Sequence, residues 1–151
     1  MTISIGILSG MGPRSTAPFI DMLISECQSQ YGACFDMDFP RMHIISLPTP
    51  FWPGQPVDDQ AMIAALRSGV SELVQAGVSL IAVPCNLAHN YFSEMGQAAG
   101  DIPLLHIAAS AVQQIPQQVN LVTLLATEPT LDAGYWQQKL LAAGKQLFDT
   151  P

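Results

Sequence analysis

Residues 83 to 90 read VPCNLAHN, an apolar run that stops and a polar, helix-compatible run that starts. Cys85, Asn86 and His89 fall at that junction. A helix beginning there leaves backbone N–H groups without internal partners, and a thiol beside such donors ionises more readily. Cys85 is therefore a candidate reactive thiol; the competing reading is a small apolar filler under the helix. Asn86 suits an N-cap or a carboxylate ligand equally well. His89, four residues on, shares a helical face with Cys85 and reads as a packing or surface residue rather than a base.

The turn SGMGP, residues 9–13, is a second candidate. Two glycines so close to a strand end let a small anion approach the backbone. The turn has neither GxGxxG nor GxxxxGK[ST] spacing, so nucleotide phosphate has weak support. His106 follows a short strand, where a structural role is favoured over edging the cleft. Cys27, on an apolar helix face, reads as core; Cys34, in a loop, and His43, within a strand, read as structural. Apart from Cys85 and His89, no His or Cys pair has ligand spacing, and no metal is expected.

The elements that must position these residues follow from pattern. Ile3 to Ser9 is an apolar run ended by Gly10, Gly12 and Pro13, a buried parallel strand and a tight turn. Arg14 to Gln30 reads as a helix capped by Ser15 or Thr16, with Ile20, Leu23, Ile24 and Cys27 on one face. Met42 to Leu47 is a strand, and PTPFWPGQP, with four prolines, is a loop. Trp52 within it anchors the loop or covers the cleft. Val57 to Ala76 is the clearest helix, with the stripe Met62, Leu66, Val70 and Leu73, closed by Gly77. Val78 to Val83 is a strand, Leu87 to Gln97 a helix, Pro103 to Leu105 a short strand and Ile107 to Gln114 a short helix. The alternation predicts an α/β fold with flavodoxin-like βα repeats: a parallel sheet with helices on both faces, and ligands beyond the carboxyl ends of its strands.

After residue 116 the pattern restarts. Val119 to Ala126 reads as a strand, Leu131 to Ala143 as a helix ended by Gly144, and Gln146 to Phe148 as a strand. Leu8 to Pro13 and Leu125 to Pro129 both place a proline turn after a strand, about 117 residues apart, as an internal duplication would. The expected organisation is a first α/β domain over 1–116 and the start of a second, incomplete one over 117–151. A single βα unit leaves apolar surface that favours self-association, so a homo-oligomer is among the expected states.

The totals narrow the function classes. The chain has 151 residues, 49% of them hydrophobic and 11% charged, which suits a packed domain and not a disordered one. A formal charge of −7 argues against nucleic acid or an anionic membrane as partner. No apolar run reaches the roughly 18 residues of a membrane span. The first residues lack a basic n-region, and three cysteines with no CxxC pair suggest no disulfide framework, so a reducing cytoplasm is expected.

Three strings, taken in order, carry a resemblance. GILSGMGPRST, PCNLAH and LLATEPT are similar to GILGGMGPEAT, PCNTAH and LLATxGT of the aspartate/glutamate racemase family. The resemblance runs along the whole chain. It implies a cofactor-independent isomerase of two similar α/β domains that holds a small amino acid, aspartate or glutamate, in the cleft between them. One cysteine from each side takes or returns the α-proton. By matching motif, Cys85 stands for the first-domain acid/base. Ser9, Gly10, Met11 and Asn86 stand at substrate-contacting positions, and Thr127 at a second-domain position facing the cleft. The departures are as specific. Gln55 stands where an arginine is common, Leu87 replaces a hydroxyl residue, and Pro129 replaces a glycine. The family's second cysteine, in a GCT motif late in its second domain, has no counterpart in these residues, so impaired racemisation is expected. Two other readings stay open: a non-catalytic binder of small acids, and a different thiol enzyme with Cys85 as nucleophile and His89 or His106 as base.

Overall fold

The computed structural model describes residues 3–148. Strands β1 (Ser4–Ser9), β2 (Arg41–Ser46) and β3 (Leu80–Ala82) form a parallel sheet in the order β2-β1-β3. β1 runs in register from Ser4 opposite Arg41 to Ser9 opposite Ser46, and Ile7 lies opposite Ala82. All three strands therefore finish at the same edge. Successive strand residues point to opposite faces, yet Ile7 and Leu8 are both 0% exposed. Both faces of β1 are thus covered, as a parallel strand requires.

Helix α1 (Thr16–Tyr31) follows β1 through a 3-10 turn at Pro13–Ser15. Ser15 occupies the N-cap position but does not cap; its hydroxyl donates to the Gly12 carbonyl at 2.7 Å. Helix α2 (Asp59–Gln75) carries the main core stripe. Asp58 caps it by accepting from the Ala61 N–H at 3.0 Å. Met62, Leu66, Val70 and Leu73 recur at helical spacing and are all buried, packing with Leu8, Ile81 and Met95. Each such side chain contributes about 1.5–3 kcal/mol on burial.

Several expected elements differ in form. The helix expected from Leu87 begins as a 3-10 segment, Leu87–Tyr91, and becomes α-helical only at α3 (Phe92–Ala99). The strand expected at Pro103–Leu105 is a single bridge between Ile81 and Leu104. Helix α4 (Ile107–Gln113) follows. Beyond it, β4 is only Leu121–Val122 and β5 only Gln146–Leu147. These two strands pair in parallel with each other alone. With no third strand among the described residues to template them, the long apolar run from Val119 does not extend into a ladder. The helix expected over Leu131–Ala143 is two: α5 (Glu128–Asp132) and α6 (Tyr135–Ala142). Gly134, at φ 70°, breaks it in a left-handed conformation that side chains disfavour. Leu125 and Phe148 in this segment stay exposed. No helix among the described residues is long and apolar enough to cross a membrane.

Candidate active site

The turns after β1, β2 and β3 meet at one edge because the strands are parallel and in register. Cys85 lies beyond the end of β3, half-buried and free of any disulfide. The backbone N–H groups of Leu87 and Ala88 are directed at its sulfur and pull its pKa down, but burial is the larger influence and the net shift is upward. This corrects the expectation of an easily ionised thiol. The helix start that was to favour the anion is a five-residue 3-10 segment, and its two donors do not offset the desolvation of a thiolate.

His89 is 2% exposed and is built into the same turn. Its Nε2 accepts the Ile107 N–H at 3.0 Å. That nitrogen must therefore be bare, and Nδ1 carries the proton and donates to the Cys85 carbonyl at 2.8 Å. Burial pushes its pKa down, in keeping with a neutral ring. Both nitrogens are used, and neither faces the sulfur as a base. His89 is a packing residue that also ties the Cys85 turn to the start of α4. His106 caps α4, its Nδ1 accepting from Ala109 at 3.4 Å. It also packs against Phe92 and Tyr135, with ring centroids 4.6 and 5.6 Å away.

The other predicted residues divide by what occupies them. Ser9 is buried, and its hydroxyl donates to the Ile45 carbonyl at 3.1 Å. Gly10, at φ 89°, brings the backbone against β2, where a Cβ would sit 2.6 Å from the Leu47 nitrogen. No other residue fits that turn. Met11 and Leu87 are half-buried and pack against the core. Gln55 is exposed in the loop after β2. Thr127 is the exposed N-cap residue of α5, and its hydroxyl meets that of buried Thr130 at 3.1 Å. The Asn90 side chain holds α5 nearby, donating to the Pro129 carbonyl at 3.2 Å.

Asn86 is exposed and does not cap with its side chain. Its backbone carbonyl accepts from the Tyr135 hydroxyl at 2.7 Å, and its Oδ1 accepts from Trp136 Nε1 at 3.1 Å. Tyr135 and Trp136 were not among the residues singled out from sequence. The only signal was an adjacent aromatic pair after Gly134 in an otherwise polar stretch. Burial, with the Cys85 charge adding, pushes the Tyr135 hydroxyl up to about 12. A cavity of about 560 Å³ lies between α2, the 3-10 segment and α5, lined by Asp59, Glu94 and Asp132 among others. None of the predicted site residues lines it, and its carboxylates repel an acidic ligand.

The Asp/Glu/Hydantoin racemase model matches residues 8–147. The chain belongs to that family. It is 44% identical over 144 residues to the broad specificity amino-acid racemase RacX of Bacillus subtilis strain 168, covering 95% of this chain and 63% of that protein. It superposes on the Picrophilus torridus aspartate racemase at TM-score 0.70 and 25% identity, over 96% of this chain and 61% of that one. An aspartate racemase homologue from Pyrococcus horikoshii OT3 superposes at TM-score 0.81 and 24% identity, over the whole of this chain and 65% of that one, a likeness of fold. The chain thus spans a little under two thirds of the length of these relatives.

Proposed function

We propose that this chain binds a small amino acid at the strand-end rim and that Cys85 exchanges the α-proton on one face, without a cofactor. The observation that carries the reading is the half-buried Cys85 thiol, its anion favoured by the Leu87 and Ala88 backbone N–H groups, at the same strand-end edge as the Gly10 turn. Abstraction begins from the thiolate: the sulfur takes the α-proton, the pair of electrons stays on carbon, and the rim donors offset the developing charge. The raised thiol pKa keeps most of the sulfur protonated at neutral pH, so exchange accelerates as pH rises. Inversion needs a donor on the opposite face. Cys27 is buried in α1, and Cys34 lies in the loop leading into β2, at the edge of the sheet opposite Cys85. Among the described residues no second cysteine is placed for that donation, so the expected outcome is exchange with retention. The name of the Bacillus subtilis relative widens the candidate substrates beyond aspartate and glutamate. Gln55 and Leu87, in place of a charged and a hydroxyl residue, agree with looser reading of a side-chain carboxylate.

The test is incubation of L-aspartate, L-glutamate and L-alanine in D2O, followed by NMR and chiral chromatography. The α-position of at least one should gain deuterium with configuration retained, and Cys85→Ser should abolish the gain. No α-deuterium in any of them would remove Cys85 as an acid/base. Formation of the D-enantiomer would show a second donor and end the one-face reading.

A further inference from the structure

We infer that Trp136 is a positioning residue: its indole N–H sets the Asn86 amide so that Nδ2 is presented to the carboxylate of a bound amino acid, an inference that rests on the amino-acid-binding reading above. An indole nitrogen only donates, so the Asn86 atom it meets at 3.1 Å is the carbonyl oxygen. The two polar atoms of a planar amide lie on opposite arms. With Oδ1 turned to Trp136, Nδ2 is directed away from it. Among the described residues Nδ2 has no protein acceptor, and Asn86 is exposed. The Tyr135 hydroxyl holds the same residue's backbone carbonyl at 2.7 Å, so the peptide plane is fixed as well as the amide.

The neighbouring side chains make this amide matter. Ser9 has given its hydroxyl to the Ile45 carbonyl, and Leu87 has no donor. The Leu87 and Ala88 N–H groups face the Cys85 sulfur. Asn86 keeps two N–H donors beside the thiol, and a freely turning amide would present oxygen to a carboxylate as often as nitrogen. The Trp136 N–H removes that ambiguity from 50 residues away in sequence.

The experiment measures protection of Cys85 from iodoacetamide, followed by peptide mass spectrometry so that exposed Cys34 does not contribute. The probes are L-aspartate, L-glutamate and L-alanine, with L-alaninamide as the control that lacks an α-carboxylate. Trp136→Phe keeps the ring and loses the N–H. It should raise the half-protecting concentration of the acids about twofold, because an amide free to turn is in the binding orientation only half of the time. Protection by L-alaninamide, the unprotected alkylation rate and the melting temperature should not move. Asn86→Asp keeps an acceptor for Trp136 but no donor, and should keep the melting temperature while losing protection by the acids. Equal half-protecting concentrations in wild type and Trp136→Phe would overturn the role of Trp136 alone, as would equal weakening of acid and amide. Should Trp136→Phe not fold, wild-type protection of Asn86→Asp by the acids overturns the inference. If no acid protects the wild type, the amino-acid-binding reading fails and this inference falls with it.

Discussion

Replacing His89 by phenylalanine tests the brace under the thiol turn. The phenyl ring is larger than the imidazole, so no cavity forms, stacking on Phe92 at 5.7 Å and 19° can persist, and any overpacking adds to the loss. What is lost is the Nδ1–H to the Cys85 carbonyl and the acceptor for the Ile107 N–H. Two part-buried backbone groups are left unpaired, at about 1–3 kcal/mol each, so the expected loss is about 2–6 kcal/mol. Against a total of about 5–15 kcal/mol, that is large. His89→Asn restores a donor near the Nδ1 position and should recover roughly half of the loss. The pH dependence has a definite sign. Burial lowers the His89 pKa in the folded state, so between that value and the unfolded value of about 6.5 the unfolded chain binds more protons. Stability is full above about pH 6.5 and falls as pH drops below it, by up to about 1.4 kcal/mol per unit until the folded pKa is reached. His106 is also lowered, chiefly by burial and next by the His89 charge, so His89→Phe relieves part of its shift and the comparison reads the pair. Urea unfolding followed by circular dichroism at pH 7.5 and pH 5.5 gives both quantities. A cost below about 1 kcal/mol at pH 7.5 would refute the brace, since two stranded groups together cost at least about 2 kcal/mol. Equal losses on acidification in wild type and His89→Phe would refute the neutral tautomer.

Gly10→Ala should unfold the β1–β2 edge or destabilise the chain by more than about 2 kcal/mol, because the added methyl meets backbone 2.6 Å away at a left-handed φ; thermal melting reads this, and a near-native melting temperature would show that the turn can relax. The Cys85 alkylation rate should reach half its plateau at a pH above that of an ordinary thiol, about 8.5, since burial outweighs its two N–H donors; a midpoint below that value in mapped iodoacetamide kinetics would reverse the electrostatic account.

Much of the frame was legible before any coordinates. The α2 stripe at Met62, Leu66, Val70 and Leu73 needs only periodicity, because a helix that buries one face must repeat apolar residues every three to four positions. The βα alternation likewise implies parallel strands and a common ligand edge, and the three strings at the strand ends carried the family. Local rules worked there because each signal lies within one element.

What sequence did not determine depends on partners distant along the chain. The apolar run after Val119 was shaped like a strand, but a strand exists only as far as a neighbour pairs with it, and β5 pairs with two residues. The ionisation of Cys85 turned on burial by surrounding elements, which opposes the local donors that the motif displays. The state of His89 was decided by Ile107, 18 residues on, and the orientation of Asn86 by Trp136, 50 residues on. A string of residues specifies which groups can donate and accept. Only the fold decides which of them meet, how dry the meeting place is, and so which proton each group keeps.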